Sequence, residues 1–319
     1  MHIPVLLHEA VDALAIKPTG IYVDATFGRG GHSRLILSRL SEQGQLIAMD
    51  RDPAAVATGA TIDDPRFDIR HCRFSEMRSV LQAAGIAKID GVLLDLGVSS
   101  PQLDDASRGF SFLATGKLDM RMDTSRGQTA AEWLAQVTED QLARVIEEYG
   151  EERYAKQIAR AIVGTRGHRP IVTTSQLAEI IAATVHAKQH RRERNKHPAT
   201  RTFQAIRIFL NRELEELSAV LAECVECLDS GGRLVVISFH SLEDRMVKRF
   251  MRSAANTDEL PRNVPAREEE LLRFSKQTLR IIGKAVRPAE SEVNQNARAR
   301  SAVMRVAERI NRTDSQCSS

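Results

Sequence analysis

Ile21-Tyr22-Val23-Asp24-Ala25-Thr26-Phe27-Gly28-Arg29-Gly30-Gly31-His32-Ser33, followed by Gln45-Leu46-Ile47-Ala48-Met49-Asp50-Arg51-Asp52, decides the fold class. The first run reads as an apolar strand entering a glycine-rich turn and a helix; the second reads as another strand that ends in carboxylates. Gly28, Gly30 and Gly31 let backbone approach a ligand where a Cβ would collide, and a helix starting near Ser33 points its unpaired N–H groups at that ligand. Asp50 stands twenty residues beyond Gly30, at the end of the next strand, where a carboxylate can accept both hydrogen bonds of a ribose diol. The spacing predicts a ligand that carries a ribose.

A tight turn with no ligand would use similar glycines, and it is Asp50 with its strand that favours a binding site. Ser33 occupies the place where a dinucleotide fingerprint has its third glycine, which argues against NAD. S-adenosyl-L-methionine has no pyrophosphate, so it tolerates a looser turn while keeping the acidic ribose clamp. It is the expected cofactor.

The chain has 319 residues, enough for a full α/β core and a second, smaller domain. At 42% hydrophobic and 27% charged its composition is that of a soluble globular protein, with no run approaching the length of a membrane span. His8, Glu9 and Asp12 interrupt the N-terminal segment, so no signal peptide is expected there. Four cysteines (Cys72, Cys224, Cys227 and Cys317) suit a reducing cytoplasm better than a disulfide framework. Net charge is only +3, but it is unevenly spread. From Lys188 to Arg201, Lys188, Arg191, Arg192, Arg194, Lys196 and Arg201 face a single acid, Glu193, a local balance of +5. That concentration suits contact with a polyanion at one place, although a solvated loop would have the same composition.

Strand-like and helix-like segments alternate over residues 1–103, the signature of a doubly wound parallel sheet. Strands are expected at Ile21 to Ala25, Gln45 to Asp50, Phe67 to His71 and Gly91 to Asp95. Residues 104–199 change character. Apolar residues recur at helical spacing (Leu142, Val145, Ile146, Tyr149; Tyr154, Ile158, Ala161, Ile162; Leu177, Ile180, Ile181), and Thr129 with Glu132, Thr138 with Gln141 and Thr173 with Gln176 form capping-box pairs. A helical insertion is expected there, with residues 1–103 and 200–319 forming one discontinuous domain. The α/β pattern resumes with a long helix from Thr202 to Leu228, stopped by Asp229-Ser230-Gly231-Gly232, and a strand from Arg233 to Phe239. A helix (Glu243 to Arg252) and two strands (Thr278 to Lys284, Ser301 to Glu308) follow, and a strand pair closing the sheet after its fifth parallel strand suits a methyltransferase better than a dehydrogenase.

Ile89-Asp90-Gly91-Val92-Leu93-Leu94-Asp95-Leu96-Gly97-Val98-Ser99-Ser100-Pro101-Gln102 is specific where the first turn is generic. So are Gly109-Phe110-Ser111-Phe112, Leu118-Asp119-Met120-Arg121-Met122-Asp123, His197-Pro198-Ala199-Thr200-Arg201-Thr202-Phe203-Gln204 and Ser238-Phe239-His240-Ser241-Leu242-Glu243-Asp244-Arg245. In this order, and from His2-Ile3-Pro4-Val5-Leu6-Leu7 to Asn296-Ala297-Arg298-Ala299-Arg300-Ser301, the sequence resembles the bacterial ribosomal small-subunit methyltransferase H family, also called MraW. The resemblance implies a Rossmann-like class I methyltransferase fold with a helical insertion for RNA recognition. It also implies S-adenosylmethionine-dependent methylation of the N4 amino group of a decoding-centre cytosine in 16S rRNA of the small ribosomal subunit. Carried over by motif, the family's cofactor contacts fall on Gly30, Gly31 and His32, on Asp50 at the ribose, on Phe74 beside the adenine, and on Asp95 and Gln102 around the fourth strand's loop. A cytoplasmic enzyme away from membranes is implied, and a homodimer is left open.

A sulfonium methyl group is already activated, so transfer needs alignment more than a metal, and no catalytic metal is expected. The cytosine amino lone pair is delocalised, and an oxygen acceptor must help pyramidalise the nitrogen and take up a proton. Many amino methyltransferases place an acidic or amide residue followed by Pro-Pro-aromatic after the fourth strand for this. Here Asp95-Leu96-Gly97-Val98-Ser99-Ser100-Pro101-Gln102 has one proline and no aromatic partner. Asp95, Ser99 and Ser100 are candidate acceptors, Asp95 fits the methionine amino group better, and no catalytic residue is assigned.

Phe110 and Phe112 can stack on an unstacked base or pack between domains, and Arg207 and Arg212 extend the basic run that would hold phosphates. Cys224 and Cys227 have the spacing of half a zinc site but no second pair, so they read as core. His240, Ser241, Glu243 and Asp244 lie too close in sequence for a hydrolytic triad; a loop lining the cleft is expected, with helix capping by Ser241 as the alternative. Three rivals remain: a nicotinamide-dependent oxidoreductase, an RNA-binding or assembly factor that keeps the fold without turnover, and a methyltransferase acting on DNA or protein.

Overall fold

The computed structural model describes residues 4–187, 197–255 and 277–310. Its first stretch is a run of β/α pairs: α1 (Leu7–Ala13), β1 (Ile21–Asp24), α2 (Gly31–Leu37), β2 (Gln45–Asp50), α3 (Pro53–Gly59), β3 (Phe67–His71), α4 (Met77–Ala83) and β4 (Ile89–Asp95). Six helices follow: α5 (Ser100–Asp104), α6 (Ala130–Gln136), α7 (Glu139–Gly150), α8 (Ala155–Arg166), α9 (Thr174–His186) and α10 (Thr200–Asn211). The chain then returns to β/α structure with α11 (Glu213–Cys227), β5 (Leu228–Ser238), α12 (Ser241–Ala255), β6 (Leu279–Ile281), α13 (Glu290–Gln295) and β7 (Val303–Arg309). It divides into two compact units, Met1–Gly97 with Leu214–Ser319, and Val98–Glu213.

In the first unit the seven strands run in the order β3-β2-β1-β4-β5-β7-β6, with β7 antiparallel to β5 and β6 and the remaining pairs parallel. The central strands are apolar at nearly every position because both sheet faces are covered. Val23, Ile47, Met49, Val92, Leu94, Leu234 and Val236 face one layer with Met77, Leu217, Leu221 and Val247 of the helices, while Tyr22, Leu46, Leu93, Val235 and Ile237 face the other with Leu6, Val11 and Ile36. Cys224 and Cys227 belong to the first layer, and burial drives the Cys224 thiol far up from its ordinary range, so the pair serves as core. Among the described residues, no helix is long and apolar enough to cross a membrane.

The second unit has its own core, built from Trp133, Leu142, Ile146, Ile158, Ile162, Leu177, Ile181, Phe203 and Ile206 among others. Thr129, Thr138 and Thr173 cap α6, α7 and α9 as the spacing predicts, each accepting the N–H three residues on. This unit takes in residues 98–103 and 200–213, which the sequence reading assigns to the flanking domain. The physical reason is that Val98 and Leu103 pack against this unit's core and α10 packs on α7.

Two expected elements differ. The long helix from Thr202 to Leu228 is two helices, broken where Arg212 adopts a left-handed conformation (φ 52°). The break is held by side chains: Arg207 makes a two-pronged pair with Glu213 at 2.8–2.9 Å, and Asn211 turns back to the Met120–Met122 segment. Nor does Asp229-Ser230-Gly231-Gly232 separate helix from strand. Leu228 already pairs with Ile89 and Arg233 with Gly91, so these four residues bulge out of β5, with Gly231 at φ 76°.

Asn211, 3% exposed, accepts from the Met122 N–H and donates to the carbonyls of Met120 and Arg207, each at 2.8 Å. Replacing it orphans several buried backbone groups, so Asn211→Ala is expected to cost about 2 to 3 kcal/mol, read as a lower urea midpoint at unchanged slope.

Candidate active site

The carboxyl ends of β1, β2 and β4 are stitched together by the glycine turn. Phe27 N–H donates to the Met49 carbonyl (3.0 Å), Gly28 N–H to Asp50 Oδ2 (2.8 Å), and Asp95 N–H to the Thr26 hydroxyl (2.6 Å). Asp50 Oδ1 accepts from Asp52 N–H at 2.8 Å. The carboxylate expected at the ribose thus also organises the turn.

Gly28 and Gly30 have φ of 57° and 73°. The protein's own packing explains two of the glycines. A Cβ on Gly30 would stand 2.5 Å from the Phe27 ring, and one on Gly31 would stand 2.1 Å from Pro4 Cγ. Gly28 is different, since a Cβ there would meet nothing closer than the Thr26 carbonyl at 4.0 Å. Helix α2 begins at Gly31, earlier than the expected start near Ser33, because Gly30 takes the left-handed cap. Ser33 is buried instead, its hydroxyl donating to Asp24 Oδ2 at 2.6 Å.

The same edge gathers acids, Asp24 fully buried and Asp50 and Asp95 partly so. Burial pushes the Asp24 and Asp50 carboxyls up to about 6, against hydrogen bonds that pull the other way. Asp95 is raised well above the carboxylate range by burial first, then by the charges of Asp24 and Glu243. Its Oδ2 lies 3.7 Å from His32 Nδ1, and its buried Oδ1 has no hydrogen-bond partner among the described residues. No Lys or Arg pairs with Asp24, Asp50 or Asp95 among the described residues. Such a rim favours a ligand with positive charge, and a sulfonium with an ammonium group fits that donor set.

Phe74 opens a 3₁₀ segment (Phe74–Glu76) just after β3, half-buried against the core. Asp50 pairs with His71 in the sheet, and the Cys72 N–H donates to the Asp50 carbonyl, which brings Phe74 to the strand end beside Asp50. Gln102 belongs to the second unit, where it is 7% exposed and closes a capping box with Ser99, accepting the Ser99 N–H at 2.9 Å. Ser100 is buried at the start of α5.

Other expected contributors have structural work. Phe110 lies in the core of the second unit, and Phe112 packs on His197 (4.6 Å between rings) and edge-on to Phe203 (4.9 Å). Arg207 is committed to Glu213, which corrects its expected role as a phosphate ligand. Arg201 is half-exposed, with Nη1 3.9 Å from Glu152 Oε2. Arg191, Arg192, Arg194 and Lys196 lie outside the described residues. At the end of β5, Glu243 accepts the N–H groups of Phe239 and His240 and sits 3.1 Å from His240 Nε2. His240 Nδ1 in turn accepts the Glu243 N–H at 3.4 Å, so His240 takes the capping role considered for Ser241. Asp244 forms a two-pronged pair with Arg305. Asp24 is the acid that sequence reasoning missed, and Glu243 is expected only as part of a cleft loop, without its place among the acids of the rim. Asp24's signal is a carboxylate ending an apolar run directly before the glycine turn; Glu243's is a cap pattern with histidine in place of serine.

A sheet of this order, with β7 turned antiparallel and an acidic, glycine-bounded rim at the ends of β1, β2 and β4, defines a Rossmann-like class I methyltransferase whose cofactor is S-adenosylmethionine. The chain belongs to the MraW methylase family, whose model matches residues 1–310. It is 65% identical over 312 residues to ribosomal RNA small subunit methyltransferase H of Nitrosospira multiformis, covering 98% of each chain. The enzyme of the same name from Nitrosomonas europaea is 66% identical over 310 residues, covering 97% of this chain and 98% of its own. Among solved structures, a putative rRNA methylase from Clostridium thermocellum covers 98% of this chain and 99% of its own at 11% identity, with a TM-score of 0.44.

Asp50→Ala is expected to weaken S-adenosylmethionine binding by about 1 to 3 kcal/mol in calorimetry, the usual cost of an unpaired buried polar partner. Asp50→Asn keeps one oxygen acceptor and should lose less. Because Asp24 and Asp50 titrate near 6, cofactor affinity should rise with pH between about 5 and 7, with proton release on binding visible as heat that depends on the buffer's ionisation enthalpy. In the unliganded protein the same groups hold protons more tightly folded than unfolded. Their contribution to stability is therefore fully present below about pH 4 and lost as pH rises through 6.

Proposed function

We propose that this enzyme transfers a methyl group from S-adenosylmethionine to 16S rRNA of the small ribosomal subunit, at the N4 amino group of a decoding-centre cytosine. The observation that carries the rRNA substrate is the 65–66% identity, over nearly the full chain, to enzymes named ribosomal RNA small subunit methyltransferase H. The N4 position rests on the motif resemblance and on a site of oxygen acceptors suited to an amino nucleophile.

Gly30, Gly31 and His32 line the turn against which the cofactor would lie, and the Asp50 carboxylate would hold the ribose. Phe74 would lie beside the adenine and Asp95 would face the methionine ammonium, with Gln102 of α5 as a further contact. The bound cofactor supplies a methyl group already activated on a sulfonium. As the new N–C bond forms and the C–S bond breaks, one amino proton passes to an oxygen acceptor or to water. Ser100 is the candidate with the fewest commitments, since Asp95 is assigned to the ammonium group. Ser99 is less suited, since its side chain caps α5. The second unit, with the basic run of Arg191, Arg192, Arg194, Lys196 and Arg201, contacts rRNA backbone and positions the substrate without reading sequence. The enzyme acts in the cytoplasm.

Incubating 30S particles from a strain lacking this modification with enzyme and labelled donor, then analysing nucleosides by mass, should yield N4-methylated cytidine in the complete mixture alone. A methyl group at carbon 5, or on protein, would overturn the assignment. Charge reversal at Arg191, Arg192 and Arg194 should weaken rRNA binding and flatten its salt dependence by about one log–log unit per lost phosphate contact, with cofactor affinity unchanged.

A further inference from the structure

Phe74 is flanked by two side chains that meet one buried carboxylate. Glu216 of α11 is 7% exposed, and its Oε1 accepts from Arg73 Nη1 at 3.0 Å. Its Oε2 accepts from the Ser75 hydroxyl. The segment is also fastened from within, since the Arg73 N–H donates to Glu76 Oε2 at 2.8 Å. A carboxylate on a helix far along the chain thus grips the residues on both sides of the aromatic ring and leaves the ring between them.

This arrangement costs something. Burying a carboxylate is unfavourable unless it is paired and hydrogen-bonded, and here both oxygens are used on a three-residue stretch. Core packing alone would be met by an apolar residue, as Leu217 and Val220 show on the same helix. An apolar residue would not set the direction in which Phe74 projects. A ring held before its ligand arrives has less conformational freedom to lose on binding, which is the general source of affinity by preorganisation.

We propose that Glu216 is a positioning residue of the cofactor site, clamping Arg73 and Ser75 so that Phe74 presents a fixed face to the nucleobase. The inference rests on the reading of Phe74 as the adenine contact. Glu216 touches no part of the cofactor and acts through the ring.

A double-mutant cycle on the full-length protein tests it, with S-adenosylhomocysteine binding read by calorimetry. Glu216→Ala should raise the dissociation constant about fivefold to tenfold in the native background and have almost no effect in a Phe74→Ala background. Glu216→Gln, which keeps an acceptor for Ser75 but not the charge facing Arg73, should fall between Glu216→Ala and the native protein. A general loss of fold stability would weaken binding equally in both backgrounds, and such additivity overturns the proposal while leaving Phe74 as the adenine contact. An unchanged dissociation constant in Phe74→Ala alone overturns both readings. If Glu216→Ala folds poorly, Ser75→Ala enters the same cycle with the same expectation of coupling to Phe74.

Discussion

The structure depends on the Asp50 carboxylate's double attachment, to the Gly28 N–H through one oxygen and the Asp52 N–H through the other. It fixes the glycine turn against the end of β2, and it does so in a setting that disfavours its own charge. Asp24 and Asp95 crowd in on the same rim, and among the described residues none of the three pairs with a Lys or Arg, the nearest basic group being the His32 ring at 3.7 Å from Asp95. A carboxylate group gathered this way is poorly compensated by the protein alone. A cationic ligand relieves it, so the electrostatic cost of the empty site becomes selectivity for a sulfonium donor over neutral nucleosides.

Much of this was legible because the residues that shape the site lie next to the elements that carry it. β2 and β3 occupy the residues expected of them, Gln45–Asp50 with an apolar centre after Gly44 and Phe67–His71 shortly after Pro65, and Asp50 follows from spacing. The three threonine caps follow from pairs three residues apart. What escaped has a common cause. Arg212 carries no glycine or proline signal, and its left-handed turn is imposed by Asn211 and the Arg207–Glu213 pair. Glu243 joins the acids of the rim only through the neighbouring positions of β1, β4 and β5 in the sheet, an ordering that no local pattern encodes.

Phe110, Phe112 and Arg207 teach the complementary lesson. Each has the chemistry of nucleic-acid recognition, and each is spent on packing or pairing in the helical unit. Residue type names what a side chain can do; burial and partners decide what it does. Exposed cations on segments with no competing acid are the better guide to where a phosphate backbone would be met.

The bulge at Asp229–Gly232 sits where β5 joins β4, a pairing between segments separated in sequence by the whole helical unit. As the chain leaves the ribosome, the helical unit is complete before β5 exists. Its contacts are internal to one continuous stretch, whereas the sheet must hold β1 to β4 open at one edge until the last third of the chain arrives. That order of synthesis leaves the edge of β4 unpaired and open to mispairing until β5 itself arrives, while helix α11, delivered immediately before β5, brings apolar cover to one face of the sheet.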